Sequence, residues 1–147
     1  MVTDLSGARD ALSALVLSSW TANAPSGAPL LYDNLDGQAP PDPPATWGRL
    51  SIQFDGSTRI SIGPPGQNAA LSRRTGRLYV QIFTPFGKSG ATKVAEDLAD
   101  ALIKALEDAG GVDNIRIIDP SAMTMGSDDG TWFQVNVRAG FQFDRIF

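Results

Sequence analysis

The chain has 147 residues, enough for one domain with a sizeable core, and its 42% apolar and 19% charged content is that of an ordinary globular protein. Its net charge of −4 lacks the basic excess of a dedicated nucleic-acid binder. The absence of cysteine and histidine removes disulfides, thiolate nucleophiles, sulfur-ligated metals and the commonest general base.

Thr3 is placed to cap a first helix in which Leu5, Ala8, Leu12, Leu15, Val16 and Ser19 or Trp20 share one face. Asn23, Pro25, Ser26 and Gly27 predict its end near Trp20. Pro29 to Asn34 reads as a short edge strand or an extended segment. Asp36 to Thr46 holds four prolines, so it reads as a stiff surface crossing that cannot sit inside a sheet. Trp47 to Phe54 and Thr58 to Gly63 flank Asp55-Gly56-Ser57, which predicts a hairpin. Pro64 to Thr75 carries no period and reads as a long loop reaching away from the body, or as loosely paired strand extensions. It brings Arg73 and Arg74 close to Arg77.

Arg77 to Phe83 alternates polar with apolar or aromatic residues, which predicts a central strand. Thr84, Pro85, Phe86 and Gly87 break it, and Ser89 offers an oxygen for a helix cap. Val94, Leu98, Ala101, Leu102, Ala105 and Leu106 then form one apolar stripe. Glu96, Asp97, Asp100, Lys104, Glu107 and Asp108 form the opposite, solvated face. Gly110 and Gly111 supply a left-handed stop. Val112 to Ile118 reads as a short strand closed by Asp119-Pro120. Ser121 to Gly130, with Asp128 and Asp129, reads as a second exposed loop. Trp132 to Phe147 alternates as a long final strand, with Ala139-Gly140 a candidate bulge or bend. The expected fold is a single α+β domain over residues 1–147: a mostly antiparallel sheet with two helices on one face, and extended loops at about 36–46, 64–75 and 121–130. With no N-terminal signal pattern and no long apolar run, neither signal-directed secretion nor membrane spanning is expected.

The residues carry little chemistry. Gly87-Lys88-Ser89 lies between a strand and a helix, yet a phosphate-binding loop needs a glycine five positions earlier, where Ile82 stands. Asp128-Asp129-Gly130 reads as a turn, because no further oxygen ligands follow at regular spacing. Serine nucleophiles would need a base other than histidine. No catalytic, cofactor-binding or metal residue is therefore expected, and an enzyme is not expected. Trp47, Trp132, Phe133, Phe141 and Phe143 have the spacing of core or interface packing rather than of a base-stacking platform. Arg73, Arg74 and Arg77 could touch phosphate, but in an acidic chain the preferred reading is contact with an acidic surface of a neighbouring copy, such as one bearing Asp128 and Asp129. Basic and acidic patches on one chain suit head-to-tail rings.

The order of the pieces resembles a known family. A first helix and a proline-containing segment run into a strand opened by Trp47-Gly48-Arg49. The strand Gly76 to Phe83 leads through Pro85 and Gly87 into an acidic amphipathic helix, and Trp132-Phe133-Gln134-Val135-Asn136-Val137 begins the closing strand. This layout is similar to the tail terminator proteins of long-tailed bacteriophages, the group of the lambda minor tail protein U. The resemblance implies a structural virion protein at the neck of the tail, assembled in the cytoplasm of the bacterial host. Its subunits would form a hexameric ring that caps the tail tube, stops tube polymerisation and presents the head-joining surface. Its implied partners are further copies of itself, the tail tube protein and the head–tail connector, with genome DNA passing through the channel ungripped and no membrane involved. Loops 64–75 and 121–130 would then be ring or tube contacts. A second virion reading is another head–tail joining or tail tube subunit. A reading of another class is a monomeric α+β domain binding a small molecule or peptide in a closed apolar pocket.

Overall fold

A computed structural model describes residues 4–33, 39, 41, 45–59, 71–87, 90–127 and 130–146. Along them run α1 (Leu5–Asn23), β1 (Leu30–Tyr32), β2 (Trp47–Arg59), β3 (Leu71–Pro85), α2 (Ala91–Ala109), β4 (Gly111–Val112), β5 (Ile115–Gly126) and β6 (Trp132–Ile146). The strands make one six-stranded sheet in the order β1-β2-β3-β6-β5-β4, antiparallel except for β1 beside β2. Both helices lie on one face, so the fold is α+β.

Period-two alternation builds the centre. β3 buries Leu78, Val80, Ile82 and Thr84, while β6 buries Val135, Val137, Ala139, Phe141 and Phe143 on the same face. The two strands pair without a register break from Leu71↔Ile146 to Pro85↔Trp132. Leu50 and Ile52 of β2 and Ile115 and Ile117 of β5 extend this apolar floor. Ala8, Leu12, Val16 and Trp20 of α1, and Ala91, Ala95, Leu98, Ala99, Leu102 and Leu106 of α2, cover it. Val94 is exposed, and Ala95 and Ala99 face inward in its place: small residues bring the helix axis close to the sheet. Gly110 ends α2 at φ 59, the left-handed stop expected of glycine, with its N–H donating to the carbonyls of Leu106 and Glu107.

Several local expectations are corrected by long-range pairing. Asp55-Gly56-Ser57 makes no hairpin turn: β2 continues to Arg59, and Asp55 is the extra residue of a bulge between Phe54↔Gly76 and Gly56↔Thr75. Leu71 to Thr75 belongs to β3, held by β2 on one side and β6 on the other, which is the reading as paired strand extensions rather than as a loop. Residues 64–70 of that expected loop lie outside the described residues. Asp119-Pro120 does not close β5. Ile118 opposes Gly140 and Ser121 opposes Arg138, so two residues bulge opposite Ala139, with Asp119 at φ 47 making the kink. Ser121 to Gly126 is thus strand, and the irregularity expected at Ala139-Gly140 sits across from it in β5. Asp4 caps α1, accepting from the Gly7 N–H at 2.7 Å, whereas Thr3 lies outside the described residues. Gly90, not Ser89, is the N-cap of α2; it takes a left-handed φ of 78, and Ser89 also lies outside the described residues.

Candidate interaction surface

The sheet face away from the helices is built from the other alternation class: Trp47, Arg49 and Gln53 of β2, Arg73, Arg77, Tyr79, Gln81 and Phe83 of β3, and Trp132, Gln134, Asn136, Arg138, Gln142 and Asp144 of β6. No described helix covers it. Its two ends differ in chemistry.

One end is charged and internally matched. Register places Arg73 directly opposite Asp144, and the guanidinium grips the carboxylate through Nε at 2.8 Å and Nη2 at 3.0 Å. These bonds hold the Asp144 carboxyl below the usual carboxylate range and raise Arg73 in turn. Arg77 reaches Asp55 at the bulge, with Nη2 at 3.0 Å, which raises Arg77 as well. The bulge that replaces the expected hairpin therefore aims an acid at an arginine.

The other end is aromatic. Trp47 stacks on Phe83 with centroids 4.3 Å apart, and Trp132 meets Trp47 edge-on at 5.9 Å. Arg49 lies over the Trp47 ring at 5.5 Å. The Trp47 indole N–H is buried with no hydrogen-bond acceptor among the described residues, an arrangement that costs about 1–3 kcal/mol. Toward this end of the sheet three large apolar side chains are exposed: Phe86 is 54%, Met123 53% and Met125 46% exposed. Phe86 follows β3 directly, where its N–H donates to the Thr131 carbonyl, and Met123 opposes Asn136 near the start of β6.

The five expected contact residues separate. Arg73 and Arg77 lie in β3 on the helix-free face, each bonded within the chain. Arg74 points to the opposite face, beside Phe143 and Ser57 in register, and its Nε is buried with no partner among the described residues. Asp128 and Asp129 lie outside the described residues. Arg73 and Arg74, expected in loop 64–75 or in its strand extensions, lie in paired strand, and Arg77 lies in the central strand as expected. The five expected packing aromatics separate too: Phe141 and Phe143 are core, Phe133 packs against it, and Trp47 and Trp132 join Phe83 on the outer face. Met123 and Met125 were hidden from sequence reasoning inside an expected loop. Their signal was the alternation of Met123 and Met125 with Ala122 and Thr124.

Among the described residues, no group of three or more His, Cys, Asp or Glu side chains could hold a metal ion. A groove of about 690 Å³ opens beside the β5 bulge and is lined by Arg77, Tyr79, Ile118, Asp119, Pro120 and Arg138 among others. It is open to solvent and of mixed polar and apolar lining. No helix of the described residues is long and apolar enough to cross a membrane.

No protein-family model and no curated protein matches the sequence. Solved structures do match. One, whose name describes no function, aligns over 92% of this chain and 92% of its own with a TM-score of 0.61 at 19% identity. At that identity the likeness shows the fold alone.

Proposed function

We propose that the chain is a structural ring subunit of a long-tailed phage, the terminator that caps the tail tube, stops its growth and offers the head-joining surface. The observation that carries this reading is that Phe86, Met123 and Met125 are exposed toward the end of the sheet that holds the Trp47–Phe83–Trp132 cluster, on a sheet whose other face no described helix covers. Large apolar side chains exposed at one end of a sheet suit contact with another protein. At the other end Arg73 and Arg77 are neutralised by Asp144 and Asp55, which leaves that part of the face a poor grip for phosphate. The ordered layout resembling tail terminators supplies the identity of the assembly. In this reading the apolar end is buried against tube or neighbour, and the contact role assigned to Arg73 and Arg77 passes to it.

The test is a tube-growth assay. Purified chain is added to polymerising tail tube protein, and tube lengths and ends are read by electron microscopy. The expected result is arrested growth with a ring at one tube end. Incorporation along the whole tube would identify a tube subunit instead, and unchanged lengths with bare ends would overturn the assignment.

A further inference from the structure

Gly140 leaves a gap in the middle of the helix-free sheet face, between Arg77 of β3 and Ile118 of β5. Nothing in the fold asks for glycine there. Its φ is not left-handed, and an added Cβ would come no closer than 3.7 Å to Ile118 and 3.9 Å to the Gly76 carbonyl. A strand interior is a poor place for glycine, and one found there often marks the close approach of a ligand or another chain. The gap is the floor of the 690 Å³ groove, and the β5 bulge, with Asp119 at φ 47, is its wall.

Three arginines surround the gap. Arg77 lies directly across from Gly140, Arg138 precedes it by two residues on β6, and Arg116 stands diagonally on β5, opposite Gln142. Arg77 is already held by Asp55. Arg116 and Arg138 are exposed and make no ion pair among the described residues; Arg138 Nε reaches only the Ser121 hydroxyl, at 3.5 Å. Glu107 and Asp119 complete the lining without pairing with Arg138. A segment that carries several carboxylates with a cation beside them would match this arrangement.

The chain itself carries such a segment. The solvent face of α2 exposes Glu96, Asp97, Asp100, Glu107 and Asp108 against Lys93 and Lys104, and Lys104 is bonded to Asp108 at 2.6 Å. We propose that the Gly140 groove receives Glu96, Asp97 and Asp100 of a second copy, with Arg116 and Arg138 as the receiving guanidiniums. The proposal rests on the ring reading above and names a contact of that ring. Guanidinium forks match carboxylates in shape as well as charge. Register sets Arg138 and Arg116 roughly 14 Å apart, and the acids from Glu96 to Glu107 run along about 16 Å of helix. Groove and α2 lie on opposite layers of the molecule, so the contact joins two different surfaces, the kind that closes into a ring when its rotation closes. It leaves the apolar end of the sheet to the tube.

Charge exchange tests the contact. One variant carries Arg116→Glu and Arg138→Glu, the other Asp97→Lys and Asp100→Lys, and association is read by light scattering and by occupancy of tail-tube ends. Each variant alone should associate at least roughly tenfold more weakly than wild type, because like charges then face each other. An equimolar mixture should recover, because every groove then meets an α2 of opposite sign in an alternating assembly. Variants that each assemble like wild type, or a mixture that stays apart, would overturn the contact and leave the ring reading standing. A wild-type chain that neither associates nor binds tube ends would overturn both. Gly140→Val gives an independent check with no change of charge. A β-branched residue suits a strand and the Cβ has room, so the variant should melt at or above the wild-type temperature, yet it fills the groove and should weaken association by roughly tenfold. Wild-type association of the folded Gly140→Val variant would refute the proposal.

Discussion

Trp20 organises the corner that carries β1, and Gly48 is the position that lets it. A Cβ built on Gly48 would lie 2.5 Å and 2.7 Å from two carbons of the Trp20 six-membered ring and 3.2 Å from the Gln81 carbonyl. The same indole donates its N–H to the Ala28 carbonyl at 3.0 Å, tying the loop before β1 to α1. Gly48→Ala therefore overpacks a side chain that cannot retreat without breaking that bond. Overpacking costs about 1–3 kcal/mol, set against roughly 0.5–1 kcal/mol that alanine gains over glycine in a strand. The net prediction is a loss of about 1–2 kcal/mol. Trp20→Leu alone loses much of the roughly 3–5 kcal/mol of a Trp→Ala truncation, but it empties the space over Gly48. In that background Gly48→Ala should be neutral or slightly stabilising. Urea unfolding of the two single variants and the double variant measures the coupling, which should lie at roughly 1–3 kcal/mol. Losses that add within about 0.5 kcal/mol would refute the packing argument.

Gly76→Ala should be worse than Gly48→Ala. The new Cβ would meet the Gln53 carbonyl and the Phe141 ring, both at 2.4 Å, and the backbone oxygen cannot give way. Urea unfolding should place its loss at the upper end of about 1–3 kcal/mol. Asp144 has its carboxyl lowered by Arg73, so its contribution to stability is present above the ordinary carboxylate pKa of about 3.9 and lost as pH falls through the lowered value. Wild type and Asp144→Asn should thus differ most in thermal midpoint near neutral pH and converge in acid, and a constant difference would contradict the pairing. Reversing Arg73 to Glu places like charges opposite each other at Asp144, so it should lower the melting temperature, and Asp144→Arg added to it should restore it.

Much of the fold was legible in local patterns. The stripe from Leu98 to Leu106, the Gly110 stop and the alternations around Val80 and Val137 all name their elements without long-range information. What local pattern missed was continuity. Leu71 to Thr75 shows little alternation because its inward positions are Ser72 and Arg74, with Gly76 next, where Phe141 and the Gln53 carbonyl leave no room for a side chain. The bond that marks it as strand joins Arg73 to Asp144, 71 residues away. Asp55-Gly56 and Asp119-Pro120 carry the chemistry of turns, yet both are bulges, because partners supplied from elsewhere in the chain run past them. The same error hid the surface: reading Ser121 to Gly126 as a loop concealed a strand whose outer side no described strand pairs, with two exposed methionines.

The central claim is that this chain works as a ring. The most direct measurement is the mass of the purified wild-type protein by light scattering across concentration and salt, repeated with tail tubes present. The account predicts a discrete closed oligomer, six chains by the resemblance to terminators, free in solution or assembled at tube ends. A chain that remains monomeric at every concentration and leaves tube ends bare would contradict it.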